Sequence, residues 1–133
     1  HGHIDDITRF ISPNTIITAI EKKKNDANYN ILKQNYEILK KARNTTGNKF
    51  KIIKVPMPKP FFINKVRVPA SYLNFLICNN IVLLPLFNDI NDSKVMNIFK
   101  KFFKTRKIIG INCRELIWGF GAIHCMTQSE PKI

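Results

Sequence analysis

A stretch near the start of the chain is repeated further along. Arg9-Phe10-Ile11-Ser12-Pro13-Asn14-Thr15-Ile16-Ile17 lies over Asn74-Phe75-Leu76-Ile77-Cys78-Asn79-Asn80-Ile81-Val82, displaced by 65 positions without a gap. Phe10 matches Phe75, Asn14 matches Asn79 and Ile16 matches Ile81. Each copy sets β-branched and aromatic residues on both sides of an Asn-containing turn, which reads as strand, turn, strand. Such a repeat constrains the fold strongly, because each unit leaves a face that a neighbouring unit must cover.

Apolar residues after each copy recur at helical spacing. In the first, Tyr29, Leu32, Tyr36 and Leu39 fall at three- and four-residue steps, with Ile31 and Ile38 beside them. In the second, Val95, Ile98, Phe99 and Phe102 do so after Asn91-Asp92, where Asp92 is the expected N-cap. Short apolar strands close both units, Lys51–Val55 and Lys107–Ile111. The unit is therefore β-β-α-β, used twice, over approximately 1–56 and 70–112, with a tail segment over 113–133. Pro56, Pro58, Pro60 and Pro69 mark the passage between the copies as an irregular connection. Two units do not close a core by themselves. The expectation is an α/β arc of a larger ring, whose other units lie upstream or on another chain, or whose open faces self-associate. The first residue is His1, not Met, which points the same way; a tag could also supply it, so it carries no functional weight.

The 133 residues suit one small domain, and 44% hydrophobic residues argue against disorder. The longest apolar run, Phe75 to Phe87, is broken by Asn79, Asn80 and Pro85 and falls short of the ~20 residues of a membrane span. Three cysteines, Cys78, Cys113 and Cys125, are no disulfide framework and fit a reducing cytoplasm. His124-Cys125, with Cys113 twelve residues earlier, matches no usual zinc spacing, so no metal site is expected. The net charge of +13 raises the question of nucleic acid. The lysines, however, are scattered through a chain rich in Asn and Ile, without interleaved aromatics or a recognition motif, and read as solvated faces.

Three segments can carry chemistry. In Gly2-His3-Ile4-Asp5-Asp6, extended backbone would put His3 and Asp5 on one face, a proton carrier beside a cation binder. In Trp118-Gly119-Phe120-Gly121-Ala122-Ile123-His124-Cys125-Met126-Thr127-Gln128, small residues would let the backbone approach a ligand ahead of a cysteine, with Thr127 and Gln128 as polar contacts. Arg67-Val68-Pro69-Ala70-Ser71-Tyr72-Leu73-Asn74-Phe75 reads as a loop entering the second copy, with Tyr72 and Phe75 packed and Asn74 bonding the loop.

Taken together with Thr8-Arg9-Phe10 and Phe87-Asn88-Asp89, these segments resemble the C-terminal portion of agmatine deiminases and the related bacterial-type peptidylarginine deiminases. The resemblance runs over essentially the whole chain and in order. It implies a five-bladed α/β propeller (the pentein fold), of which this chain holds about two units. It also implies a covalent mechanism without metal or organic cofactor. Cys125 attacks the guanidinium carbon, His3 protonates departing ammonia and then activates water, and Asp5 holds the guanidinium. Gly2, Ser71, Asn74 and Gly121 are implied as substrate contacts. Agmatine would then yield N-carbamoylputrescine and ammonia. The family's further carboxylates come from upstream blades with no counterpart here, so the isolated chain is expected to turn over slowly or not at all. Other readings are a shortened homologue without catalysis that self-associates, peptidylarginine deimination, and a basic module for an anionic partner.

Overall fold

The computed structural model describes residues 2–130; His1 and residues 131–133, the last of the expected tail segment, lie outside the described part. In chain order its regular elements are β1 (Thr8–Ser12), β2 (Thr15–Ile20), α1 (Tyr29–Lys41), β3 (Lys51–Pro56), β4 (Phe62–Ile63), β5 (Val66–Arg67), β6 (Leu76–Ile77), β7 (Ile81–Leu86), α2 (Asp92–Phe102) and β8 (Lys107–Asn112). Single 3-10 turns lie at Ile4–Asp6 and Leu116–Gly119.

Two three-stranded sheets have the same plan, in orders β1-β2-β3 and β6-β7-β8. Within each, the first two strands are antiparallel and the last two parallel. A parallel pair cannot be joined by a tight turn, so each sheet needs the crossover helix that the apolar periodicity supplies. The β-β-α-β unit occurs twice.

The register of the repeat differs from the sequence match. Thr15 lies opposite Lys51 and Ile81 opposite Lys107. The Lys51 and Lys107 N–H groups donate to the Asn14 and Asn80 carbonyls, both at 2.9 Å. Structurally equivalent residues of β2 and β7 are therefore 66 apart (Thr15 to Ile81) rather than 65, and the β1 and β6 residues paired with them are 67 apart (Phe10 to Ile77). Phe10 and Phe75, matched in sequence, occupy opposite environments. Phe10 is 61% exposed on β1, whereas Phe75 is wholly buried just before β6. The ladder of backbone bonds sets the frame, and similarity of side chains does not.

Two local expectations are corrected as well. The Pro-rich passage contains a regular hairpin, β4 against β5. Its turn residues Asn64 and Lys65 both have positive φ, 47° and 65°, as a two-residue hairpin loop of primed type requires. Asp92 is the first residue of α2 and not its N-cap, which is Asn91. Its carboxylate accepts from the Phe87 and Asp89 N–H groups and from the Tyr72 hydroxyl at 2.6 Å, so it fastens the preceding loop.

The core lies under α2. Phe75 meets Phe99 edge-on at 4.9 Å, and Phe103 packs on both, with Val82, Leu84 and Val95 fully buried around them. The α1 helix buries only Leu32. It is tied to its sheet by Asn35, whose amide donates to the Thr8 and Thr18 hydroxyls, both at 3.0 Å.

The loop between β5 and β6 joins the two ends of the chain. Ser71 Oγ donates to the Asp6 carbonyl at 2.7 Å, and Arg9 donates to the Leu73 and Phe75 carbonyls while its guanidinium lies 4.7 Å over the Phe75 ring. From the other end, the His124 and Cys125 N–H groups donate to Asn74 O and Oδ1. Residues about 120 positions apart are thus brought to one loop.

Candidate active site

His3, Asp5, Glu115, Phe120, His124 and Cys125 border an open cleft of about 770 Å³. A smaller depression of about 230 Å³ beneath α1, with Leu32, Met57 and Arg67 in its wall, contains none of these six. The chemistry therefore belongs to the larger cleft.

Cys125 is an exposed free thiol, and Cys113 and Cys78 are also unbridged. Its sulfur lies 2.9 Å from Asn74 Nδ2 and 3.3 Å from Asp5 Oδ2. The same Asp5 oxygen bonds His124 Nδ1 at 2.8 Å and Asn74 Nδ2 at 3.1 Å. Asp6 Oδ1 accepts from Asn74 Nδ2 at 2.9 Å. One sulfur, two carboxylates, one amide and one imidazole thus form a continuous polar network.

Its electrostatics follow from burial and charge. Burial pushes the Cys125 thiol up, and the bond to Asp5 with the charges of Asp5 and Asp6 adds to this, while the Asn74 amide acts against it. The free site therefore holds a thiol. Burial also acts to raise Asp5, but the bonds from His124 and Cys125 outweigh it and hold that carboxyl below its ordinary range. Asp6 is pushed up to about 6, by burial first and then by the neighbouring Asp5 charge, against the Asn74 bond. Burial lowers Arg9, while Asp5, Asp6 and Cys125 draw it the other way, so its cation faces the same network.

The raised Asp6 value has a consequence for stability. The folded state holds this proton more tightly than the unfolded chain, so its stabilising contribution is present below the unfolded value near 3.8 and is lost as pH rises to about 6. Asp6→Asn should have a melting temperature close to the parent's at pH 4 and an increasingly higher one toward pH 6, then level off. Thermal melts of both proteins across that range check this; a difference constant with pH counts against it.

The structure distributes the expected site residues unevenly. Cys125, His3 and Asp5 share the cleft. His3 and Asp5 do not alternate along extended chain, however, because the Asp6 and Ile7 N–H groups bond back to the His3 and Ile4 carbonyls and wind a 3-10 turn. Gly2 is exposed, with open space where a Cβ would sit. Gly121 lies against the cysteine, so a Cβ there would come within 2.6 Å of Cys125 Cβ; a larger residue would displace the thiol. Ser71 and Asn74, expected at the substrate, are 1% and 0% exposed, with their polar atoms bonded within the chain. Thr127 likewise donates to the Ile123 and His124 carbonyls and fixes the turn at Cys125. Phe120 adopts φ 62° at the end of the last 3-10 turn and lines the cleft, 42% exposed.

His124, Asp6, Arg9 and Glu115 do not stand out in sequence. The Asp5–His124 bond spans 119 positions, and only the adjacency of His124 to Cys125 hinted at it. Among the described residues no group of three or more His, Cys, Asp or Glu is placed to hold a metal ion. No helix among them is long and apolar enough to cross a membrane.

Comparison with known proteins bears on this arrangement. A curated relative from Latilactobacillus sakei subsp. sakei (strain 23K), provisionally assigned as an agmatine deiminase, is 34% identical over 149 residues, covering 98% of this chain and 41% of that protein. A Porphyromonas gingivalis structure, provisionally described as an arginine deiminase, superposes with a TM-score of 0.96 at 33% identity, over 98% of this chain and 39% of that one. A cysteine-to-serine variant of C. jejuni agmatine deiminase with substrate bound superposes with a TM-score of 0.83 at 35% identity, over 92% and 35% of the two chains. The chain spans about two fifths of the length of the curated relatives it matches. Its α/β architecture is part of the pentein fold of these deiminases. The match to the Porphyromonas-type peptidyl-arginine deiminase family runs over residues 1–131, and the chain belongs to that family.

Proposed function

We propose that this chain carries the nucleophile and part of the cation-binding set for hydrolytic deimination of a guanidine, most simply agmatine. The observation that carries the proposal is the placement of Cys125 Sγ 3.3 Å from the Asp5 carboxylate at an open cleft that His3 also lines. A guanidinium seated on Asp5 would present its carbon to the sulfur. Its charge would offset the carboxylates that hold the thiol up, so ionisation and binding would be coupled.

In the proposed sequence, the Cys125 thiolate attacks the guanidinium carbon. His3 protonates the departing nitrogen, and ammonia leaves a covalent thiouronium. His3 then takes a proton from water, whose oxygen attacks the same carbon, and the C–S bond breaks to release the ureido product and regenerate the sulfur. His124 orients Asp5. Gly121 makes room for the thiol, and Gly2, next to His3, leaves open space where a side chain would stand. Ser71 and Asn74 act from beneath, on Asp6 and on Cys125.

Agmatine is favoured over arginine by the cleft wall. In a chain of net charge +13, the described residues bordering the cleft include Asp5 and Glu115 but neither Lys nor Arg. An amine-tailed guanidine suits two carboxylates, whereas an α-carboxylate meets no Lys or Arg among those lining residues. The product would be N-carbamoylputrescine, on a route to putrescine, in a reducing cytoplasm that keeps the three cysteines free. The rest of the guanidinium clamp would come from blades beyond these two, on an upstream segment or another copy.

A ureido-product assay with agmatine, arginine and a blocked arginine peptide tests the proposal. The isolated chain should give little turnover. The protein supplied with the remaining blades should act on agmatine first, and Cys125→Ala should remove all product. Product that persists in Cys125→Ala would sink the mechanism, and preference for the peptide would transfer the substrate assignment to peptidyl-arginine.

A further inference from the structure

We propose that Asn74 is the positioning residue that makes Cys125 ionisable, with its side-chain amide serving as the fixed hydrogen-bond donor to the thiolate. The inference deepens the reading of Cys125 as nucleophile and rests on it.

Asn74 has no exposure, so it cannot touch a ligand in the cleft. Its main-chain carbonyl accepts the His124 N–H at 3.1 Å, and its Oδ1 accepts the Cys125 N–H at 3.2 Å. Those two bonds fix the backbone carrying the thiol. They also fix the amide orientation, because the opposite flip would set an NH2 against an N–H and an oxygen against two carboxylates. With Oδ1 committed, Nδ2 faces Cys125 Sγ at 2.9 Å, Asp6 Oδ1 at 2.9 Å and Asp5 Oδ2 at 3.1 Å.

An amide nitrogen has two hydrogens, and here three acceptors surround it. The surplus is resolved by what else each acceptor has. Asp5 receives His124 Nδ1 at 2.8 Å and the Cys125 S–H at 3.3 Å. Asp6 has no second side-chain donor among the described residues. One amide hydrogen therefore belongs to Asp6, and the other lies between Asp5 and the sulfur. While Cys125 is a thiol, its S–H points to Asp5 and the shared hydrogen favours the carboxylate. When that proton leaves for water or a base in the cleft, the sulfur can only accept. The shared hydrogen then turns to it, and Asp5 keeps His124.

Neighbouring carboxylates and burial both oppose a thiolate here, and the Asn74 bond acts the other way. A hydrogen bond to an ionised group is about twice as strong as a neutral one, so its loss should be visible in the thiol's titration.

The test is the pH dependence of Cys125 alkylation by iodoacetamide, read by mass at the Cys125 peptide. Asn74→Asp keeps the shape and the acceptor but loses the donor, and Asn74→Leu loses both without adding charge. Each should move the alkylation midpoint up by about one to two pH units, a roughly ten- to hundred-fold slower reaction at pH 7. A folded variant with the parent's midpoint overturns the proposal. The parent protein provides a second arm that needs no Asn74 variant to fold. Its Asn74 side-chain NH2 resonances should shift with the Cys125 midpoint and stay flat in Cys125→Ala. Resonances that are flat in the parent also overturn it. Neither arm depends on deiminase turnover, so failure of the substrate assignment would leave this result standing, and the reverse also holds.

Discussion

Asp5→Asn should slow deimination of agmatine while making Cys125 more reactive toward a neutral alkylating agent. The substitution keeps the side chain's shape and one acceptor oxygen, and removes its charge. Truncating one partner of a hydrogen-bonded charge pair costs roughly 2–5 kcal/mol, which corresponds to about 30- to 4,000-fold in kcat/KM for a cationic substrate. The thiol responds in the opposite direction. Asp5 raises it both through the 3.3 Å contact and through its charge, and a neutral amide does neither. A purely structural defect would lower both rates together. Turnover and iodoacetamide alkylation at pH 7, measured on one preparation in the form that turns agmatine over, separate the two cases. Parallel loss of both would remove Asp5 from cation binding.

Phe99→Ala should have the largest effect on stability. Phe99 is fully buried, edge-on to Phe75 at 4.9 Å and stacked on Phe103 at 5.6 Å. Removing a buried phenylalanine costs about 3–5 kcal/mol, against a total of roughly 5–15 kcal/mol for a domain. Urea unfolding should show a midpoint far below the parent's at an unchanged slope. Phe99→Leu, which leaves a smaller cavity, should lose much less. A loss below about 1 kcal/mol in the alanine variant would mean that the pocket collapses around it. The damage should also reach the site, because Phe75 follows Asn74 directly and the two ends of the chain are bonded to that loop.

The two helices were legible because their apolar residues recur at the helix's own period. Tyr29, Leu32 and Tyr36 fall within α1, and Val95, Ile98 and Phe99 within α2. The strands that follow them were legible as short β-branched runs. The β4–β5 hairpin was not, because Asn64-Lys65 lacks the glycine that usually announces such a turn. Nor was the difference between Phe10 and Phe75, since a strand residue's face depends on the ladder it joins.

The site divides in the same way. Cys125, His3 and Asp5 could be singled out as candidates because their side-chain chemistry and the family resemblance of their segments are both carried by the local sequence. Sequence alone determined the repeated β-β-α-β unit and the two helical stripes, and it offered a short list of candidate reactive groups. Those properties belong to neighbours within a few positions, where backbone geometry leaves little choice. Only the tertiary structure decided that His124 partners Asp5, that Ser71 and Asn74 lie under the cleft and not in it, and that Glu115 reaches its wall. Those contacts join residues up to 119 positions apart. Closing a loop of that length carries an entropic cost that grows only slowly with length, so spacing along the chain says almost nothing about which distant groups meet. Packing around Phe75 and the hydrogen bonds of Asn74 make that choice.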